Sequence, residues 1–211
     1  MSDEKRKILV ATGNPGKIVE IRAMLEADVR WLGLSDLPSL DEIEEDGTTF
    51  AENARKKALG YAKATDLWTL ADDSGLVVDA LGGAPGVKSA RFSGEKPKDA
   101  DRTLIDHRNI AKTLELLKGV PQEKRMARFV CRLCLASPEG ILIETEGILE
   151  GLITNREIGQ KGFGYDPIFF VPSLNKTVAQ LTAEEKNAIS HRGNAIRKLK
   201  PLLDELLRTG L

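Results

Sequence analysis

The stretch Thr-Leu-Ala-Asp-Asp-Ser-Gly-Leu-Val-Val-Asp, from Thr69 to Asp79, is the part of the sequence around which the fold is organised. The short apolar run from Leu67 to Ala71 predicts a buried strand. It ends at two adjacent carboxylates, Asp72 and Asp73, and the tip of such a strand is where an α/β sheet displays reactive groups. Adjacent carboxylates repel each other unless a cation lies between them, which points to a divalent metal. Because Asp, Ser and Gly also favour turns, a turn explains this stretch equally well when it is taken alone.

The composition limits the classes of partner. A chain of 211 residues fits one large domain or two small lobes. Its 31 basic and 32 acidic residues give a formal charge of -1, which is not the electrostatic footprint of a protein that binds a nucleic acid polymer or a membrane surface. No signal peptide is visible, and no apolar run approaches the length of a membrane span. Any anion site must therefore be local.

The two cysteines, Cys131 and Cys134, lie three residues apart in one apolar run. On a strand this spacing directs their side chains to opposite faces, which disfavours both a disulfide and a shared metal ion. The sequence therefore predicts reduced cysteines and a cytoplasmic location.

The N-terminal segment has the order strand, glycine-containing loop, helix. A short strand ending at Ala11 runs into Thr-Gly-Asn-Pro-Gly-Lys, residues 12–17, and apolar residues then recur at helical spacing. This geometry presents free backbone N–H groups to an anion, with Lys17, Asn14 and Thr12 as further donors. The spacing is not that of a Walker A motif, and an ordinary strand–helix turn fits this segment alone better. A lysine in the first helical turn opposes the helix dipole, however, which favours an anion there.

Hydrophobic periodicity predicts the remaining helices and strands. They are strands at 29–34, 127–136 and 140–154 and helices at 48–65, 99–118 and from Ser190 to the C-terminus. Thr49 and Glu52 have the spacing of a capping box. Because Ser137 to Gly140 joins the two longest strands as a hairpin, the sheet is not purely parallel. The sequence predicts an α/β fold with a long mixed β-sheet flanked by helices.

Three further groups of polar residues are candidates for a site. The run Asp41–Asp46 contains five acids, and such a run is usually a solvated face, although one or two of these carboxylates could approach a metal. Asn53 and Lys57 share one helical face, which looks either into a cleft or into water. Arg91 has the forked donors of a phosphate partner, and a surface arginine is an equally good interpretation.

Phe163 lies between two glycines, which leave its ring accessible for stacking on a flat heterocycle. A core aromatic in a glycine-rich turn is the commoner case for a lone phenylalanine. His191 and Arg192 begin the last helix, where cations again oppose the helix dipole. An anion cradle, a divalent metal and a stacking ring together indicate a site for a nucleotide and its phosphates.

Six motifs carry a resemblance to a known family. They are Thr-Gly-Asn-x-Gly-Lys-x-x-Glu (12–20), Ala-Asp-Asp-Ser-Gly-Leu (71–76), Gly-Gly-Ala-Pro-Gly-Val (82–87), Gly-Phe-Gly-Tyr-Asp-Pro-Ile-Phe (162–169), Glu-Glu-Lys-Asn (184–187) and Ser-His-Arg (190–192). With these motifs in order over nearly the full length, the chain resembles the non-canonical purine nucleoside triphosphate pyrophosphatase (inosine triphosphatase, Ham1-like) family. The motifs disfavour two rivals, a nucleotide sensor that does not hydrolyse and a Maf-type enzyme acting on pyrimidine triphosphates.

The resemblance implies one pyrophosphatase domain over residues 1–211, with two lobes and the active-site cleft between them. It implies Mg²⁺-dependent hydrolysis of deaminated purine nucleoside triphosphates such as ITP, dITP and XTP to the monophosphate and pyrophosphate. It also implies a homodimer with a nucleotide substrate as its partner.

The resemblance also assigns residues. Asp73 would activate water and bind metal, Asp72 would support the metal, and Glu45, or else Glu44, would supply a further ligand. The residues implied to contact substrate are Thr12, Gly13, Asn14, Lys17, Lys57, Ser74, Phe163, Gly164, Tyr165, Asp166, Lys186, His191 and Arg192. Of these, Thr12, Asn14, Lys17 and Lys57 would hold phosphates, and Ser74 would contact substrate. Phe163 would stack on the base, and the last four would position the triphosphate and contact the edge of the base. Arg192 has the geometry to meet O6 and N7 of a 6-keto purine with two hydrogen bonds.

Overall fold

The computed structural model describes residues 5–25, 27–94 and 101–209. Its helices and strands, in chain order, are β1 (Lys7–Val10), α1 (Pro15–Met24), β2 (Arg30–Gly33), α2 (Phe50–Thr65), β3 (Trp68–Val78), α3 (Arg102–Leu116), β4 (Met126–Ser137), β5 (Gly140–Ile153), β6 (Phe169–Val171), β7 (Lys176–Thr177), α4 (Ala183–Ile189) and α5 (His191–Thr209). The helices and strands predicted from periodicity are confirmed to within a few residues. The predicted start of the third helix at Asp99 lies outside the described residues, and α3 is capped by Asp101.

The strands form one seven-stranded sheet in the order β2-β1-β3-β4-β5-β6-β7. β1 pairs with β2 and β3 in parallel, whereas β6 pairs with β5 and β7 in antiparallel fashion. A two-residue turn joins β4 to β5, and a connection this short can only join antiparallel strands. The sheet is therefore mixed and the fold is α/β, as predicted.

The position of the two carboxylates within β3 differs from the prediction. Asp72 and Asp73 were expected at a strand tip, but β3 continues without interruption from Trp68 to Val78. The strand continues because a second apolar segment follows, in which Leu76 and Val78 are fully buried. The carboxylates thus lie in the middle of a long buried strand, where both side chains are removed from water.

The chain divides into two compact units. Unit 1 comprises Met1–Asp73, Cys131–Gly147 and Arg192–Leu211, and unit 2 comprises Ser74–Val130 and Ile148–His191. Two of the points at which the chain passes from one unit to the other, Asp73 to Ser74 and His191 to Arg192, fall within the motifs that carry the family resemblance.

Unit 1 has apolar clusters on both faces of its strands. Alternate residues of β1 enter different clusters: Ile8 packs with Leu70 and with Ile196 of α5, whereas Leu9 packs with Ala58 of α2. Cys131 and Cys134 are likewise buried, are not joined by a disulfide and lie in separate clusters, as their spacing predicted.

Unit 2 has its own core, in which Ile110 of α3 packs with residues of β3, β4 and β6. The rings of Phe129 and Phe169 stack there with centroids 4.3 Å apart. Arg125 is buried at the end of α3, and its guanidinium donates to the carbonyls of Leu117, Val120 and Thr154. The bond to Leu117 supplies a donor to a carbonyl group at the end of α3, where the helix itself provides none.

No helix in the described part of the chain combines the length and the apolar character that crossing a bilayer requires.

Candidate active site

The loop between β1 and α1 has the geometry that the sequence predicted. The Asn14 side chain caps the helix: its Oδ1 accepts a hydrogen bond from the backbone N–H of Gly16 at 3.0 Å. The backbone N–H of Asn14 donates to Thr12 Oγ1 at 3.2 Å. Proline in the first helical turn is compatible with the helix because it lacks an N–H group that would need a partner. Gly13 is exposed, and a Cβ added there would meet no atom within 4 Å. The loop therefore leaves space in front of the helix start, where backbone N–H groups favour an anion.

Asp72 is fully buried between two cations. Lys17 Nζ lies 2.6 Å from Asp72 Oδ2, and Arg192 Nη2 lies 3.7 Å from the same oxygen. Burial alone would raise the pKa of Asp72, but Lys17 and Arg192 outweigh it and hold that pKa well below its usual range. Asp72 is therefore ionised and holds the two cations in place, and a direct metal contact from it stays a prediction.

Arg192 has a second carboxylate partner, Glu20 of α1, which pairs with its Nη1. Its side chain is only 1% exposed. A hydrogen bond from this guanidinium to a purine, as the resemblance implies, would have to replace part of its interaction with Glu20 or Asp72. That contact to the base also stays a prediction.

Asp73 differs from Asp72 in its partners and in its pKa. Its Oδ2 accepts a hydrogen bond of 3.0 Å from Asn53 Nδ2, while Asn53 Oδ1 accepts one from the Gly47 amide at 2.8 Å. Burial raises the pKa of Asp73 to about 6, and Glu45 adds to the rise while nearby lysines oppose it. Near neutral pH this carboxyl can therefore take up a proton or a cation.

The acidic run contributes Glu45 to this group. Glu45 Oε1 lies 3.0 Å from Lys57 Nζ, whereas Glu44 is exposed and Asp46 pairs with the exposed Lys56. Burial would lower the pKa of Lys57, but the surrounding carboxylates outweigh it and raise that pKa, so Lys57 is charged. Of the two predicted alternatives, Glu45 lies beside Lys57 and Glu44 is exposed, and the metal contact of either residue stays a prediction.

The oxygen donors fit a hard divalent cation. The described residues contain no group of three or more His, Cys, Asp or Glu side chains that would hold an ion by themselves. Mg²⁺, however, is usually held by one or two carboxylates together with water and substrate phosphates. Because neighbouring residues of a strand point to opposite faces, Asp73 and Glu45 are better suited to share an ion than Asp72 and Asp73. The set thus fits a Mg²⁺ site that substrate completes.

The loop that carries Phe163 belongs to unit 2 and is held by two carboxylates. Asp166 Oδ2 accepts hydrogen bonds from the Phe163 amide at 2.9 Å and from Lys186 Nζ at 2.6 Å. Asp106 Oδ2 accepts one from the Gly164 amide at 2.8 Å. Lys186 Nζ also lies 4.4 Å from the centroid of the Phe163 ring, which is the geometry of a cation–π interaction. The ring is half-buried, in a loop with defined hydrogen bonds.

Tyr165 and Gly162 support this loop from within. The Tyr165 hydroxyl donates to the carbonyl of Ser89 at 2.9 Å, and its ring belongs to the core of unit 2. Because the side chain of Tyr165 is used in the core, only its backbone could contact substrate. At Gly162, where φ is 80°, an added Cβ would lie 2.1 Å from Asp166 Oδ2, so the close approach of Asp166 requires glycine.

His191 and Ser74, the other candidates in unit 2, differ in exposure. His191 is buried and stacks on Phe129, with ring centroids 4.9 Å apart and an angle of 21° between the ring planes. Ser74 is half-buried on β3.

Three residues of these groups were missed as site residues at the level of sequence. Glu20 lies three positions after Lys17 in the same motif, so helical spacing could have indicated it. Asn53 was noted only for the face that it shares with Lys57. Asp106 gave no signal, because its contact with Gly164 spans 58 positions.

The chain is similar to known proteins over nearly its whole length. The model of the Ham1 family matches residues 8–202. A dITP/XTP pyrophosphatase of Desulforamulus reducens is 49% identical over 201 residues, which is 95% of this chain and 96% of the relative. A dITP/XTP pyrophosphatase of Bacillus subtilis is 47% identical over 202 residues, covering 94% of this chain and 98% of the relative.

Solved structures agree with this result. The Ham1 protein of Staphylococcus aureus superimposes with a TM-score of 0.82 at 42% identity, over 95% of this chain and 99% of that structure. A nucleoside-triphosphatase, dITP/XTP pyrophosphatase, of Mycobacterium abscessus superimposes with a TM-score of 0.74 at 45% identity, over 92% and 99% of the two chains. The predicted resemblance is confirmed, and the chain belongs to the Ham1 family.

Proposed function

We propose that this protein hydrolyses deaminated purine nucleoside triphosphates, with ITP, dITP and XTP as substrates, to the monophosphate and pyrophosphate. The observation that carries the proposal is the buried carboxyl of Asp73, whose pKa lies near 6 and whose neighbours include Lys17 and Lys57. Relatives named dITP/XTP pyrophosphatase that are 46 to 49% identical over nearly the whole chain support the same activity.

The phosphate groups would bind at the start of α1. Thr12, Gly13 and Asn14 border the space in front of its first turn, and Lys17 and Lys57 supply positive charge. Because Asp72 is ionised and pairs with Lys17, it holds the Lys17 ammonium in place before the substrate arrives. This preorganisation lowers the cost of orienting the triphosphate.

Asp73 and Glu45 would hold Mg²⁺, which when bound would neutralise charge on the α and β phosphates. Asp73 would also orient the attacking water and accept its proton, for which a pKa near the working pH is favourable. Attack at the α-phosphorus breaks the bond to the bridging oxygen, which leaves with pyrophosphate. Lys17 and Lys57 would stabilise the negative charge that develops on the phosphates.

Base recognition would rest on the loop that carries Phe163. Its ring would stack on the purine through the face that Lys186 does not cover. Asp166 and Lys186 pair with each other and would present polar atoms to the edge of the base, together with His191 and Arg192 as the resemblance implies. Ser74 and the backbone of Gly164 and Tyr165 would complete the contacts.

The cytoplasmic location and the homodimer remain part of the proposal. The two buried cysteines, which form no disulfide with each other, support a reducing compartment. The family supports the dimer, and a nucleotide rather than a nucleic acid polymer or a membrane would be the partner. Sedimentation of the purified protein tests the assembly.

A panel of nucleoside triphosphates with Mg²⁺, in which the released phosphate species is identified, tests the function. We expect pyrophosphate from ITP, dITP and XTP and much less from ATP and GTP. Asp73→Asn should lower turnover by about a hundredfold or more while ITP still binds. Asp41→Asn, which changes an exposed residue of the acidic run, is the control and should leave turnover unchanged. Release of orthophosphate, or full turnover by Asp73→Asn, would contradict the proposal.

A further inference from the structure

Asp106 contacts the loop of Phe163 from a helix that is distant in sequence. Its Oδ2 accepts the hydrogen bond from the Gly164 amide at 2.8 Å. The side chain is only 15% exposed, and its Oδ1 lies 3.9 Å from Arg102 Nε, one helical turn earlier. One oxygen of Asp106 therefore holds the loop while the other faces a cation of its own helix.

This contact has a counterpart at the preceding residue. The amide of Phe163 donates to Asp166 Oδ2 at 2.9 Å, so the consecutive amides of Phe163 and Gly164 donate to two different carboxylates. Hydrogen bonds to a carboxylate are shorter and stronger than those between neutral groups. The backbone that carries the ring is thus held on both sides of the Phe163 carbonyl.

The loop needs such anchors because of its glycines. Gly162 and Gly164 have φ values of 80° and 60°, and a Cβ added at Gly164 would meet no atom within 4 Å. Glycine is used at position 164 for its backbone conformation and brings no packing of its own. An external contact is therefore what limits the orientation of Phe163 on this side.

Helix α3 is suited to provide that contact. Ile105 and Ile110, on either side of Asp106 in the helix, are fully buried in unit 2. Asn109, three residues after Asp106, donates to the carbonyl of Ser89, which also accepts from Tyr165. One face of α3 thus contacts the loop at Gly164 directly and at Tyr165 through Ser89.

We propose that Asp106 is a positioning residue for base recognition: it fixes the Gly164 backbone and so presents the Phe163 ring to the purine. This inference rests on the proposed function, in which Phe163 stacks on the base. Because the proton transfer is assigned to Asp73, loss of Asp106 should weaken binding of the nucleotide and leave kcat little changed.

Kinetics with ITP and saturating Mg²⁺ test this role in Asp106→Ala and in Asp106→Leu, which has a similar volume but cannot accept a hydrogen bond. We expect KM for ITP to rise about tenfold in both, the effect of losing one such bond. Asp106→Asn retains an acceptor oxygen and should recover most of the lost affinity. Glu115→Ala, an exposed change on the same helix, is the matched control and should behave like the wild type.

Calorimetric binding in EDTA, where turnover does not interfere, separates positioning from general damage. Asp106→Ala should weaken binding of ITP but not of inorganic triphosphate, which has no base. An unchanged KM, or equal weakening of both ligands, would overturn the inference. Failure of the proposed function is distinct, because it would show in the wild type as an absence of pyrophosphate release from ITP.

Discussion

Asn53 donates a hydrogen bond to Asp73 across 3.0 Å, from the first turn of α2 to the middle of β3. The Oδ1 of the same side chain accepts a hydrogen bond from the backbone N–H of Gly47, which follows the acidic run. Asn53 therefore connects the carboxyl that we assign to proton transfer with the segment that supplies Glu45.

Removal of Asn53 should shift the pH dependence of the enzyme. Its hydrogen bond favours the ionised form of Asp73, so Asn53→Ala should raise the pKa of Asp73 above its value of about 6. Since the reaction needs the carboxylate, the acidic limb of kcat/KM should move to higher pH at fixed, subsaturating Mg²⁺. Asn194→Ala, a change on α5, is the control. A limb at the same pH in Asn53→Ala would contradict the assignment.

Asp73→Asn should stabilise the protein in EDTA at alkaline pH. The pKa of Asp73 is about 6 in the folded protein against an ordinary value of 3.8, so the free energy of unfolding falls as the pH rises from 3.8 to about 6. Above that pH both forms are ionised, and the loss of stability is complete. The difference between the folded and unfolded pKa values corresponds to at most about 3 kcal/mol of unfolding free energy.

Urea unfolding at two pH values measures this effect. The gain of Asp73→Asn over the wild type should be present at pH 8 and much smaller near pH 4, where the folded form binds the proton and the unfolded form is about half protonated. Asp41→Asn should give no gain at either pH. A gain of equal size at both pH values would show that it does not come from the charge of Asp73.

The ion pair of Glu20 with Arg192 should be strongly coupled in stability. Arg192→Ala leaves the carboxylates of Glu20 and Asp72 buried with one cation fewer, and breaking a buried pair in this way costs about 3–5 kcal/mol. The double variant Glu20→Ala, Arg192→Ala should cost less than the sum of the single changes. Additive losses in a double-mutant cycle would mean that the two side chains act independently.

Variants of Glu45 and of its neighbour Glu44 can be compared to test which of the two binds Mg²⁺. Glu45→Gln should raise the Mg²⁺ concentration needed for half-maximal rate about tenfold, because it removes one charged oxygen ligand. Glu44→Gln changes the exposed neighbour and should leave that concentration unchanged. Titration of the rate with Mg²⁺ distinguishes them, and the reverse result would assign the ligand to Glu44.

Local patterns predicted most of the helices and strands. The capping box of Thr49 and Glu52 and the two-residue turn after Ser137 depend on neighbours in sequence, and both are confirmed. The prediction that a strand ends at Asp73 was wrong. Carboxylates that interrupt an apolar run resemble the end of a strand in sequence, and the burial of Leu76, which shows that the strand continues, is visible only in the structure.

The residues that contact the site residues are distant from them in sequence, so no local pattern could predict these contacts. Glu20 and Arg192 are 172 positions apart, and Asp106 and Gly164 are 58 apart. The different environments of Asp72 and Asp73 likewise follow from side chains on α1, α2 and α5. The sequence could therefore nominate the carboxylates but could not separate their roles.

The site of water attack tests the central claim most directly. Hydrolysis of ITP in water enriched in the heavy oxygen isotope, followed by mass spectrometry of both products, shows which phosphorus receives the new oxygen. If Asp73 directs water to the α-phosphorus, one labelled oxygen should appear in the monophosphate and none in the pyrophosphate. Label in the pyrophosphate would contradict the account.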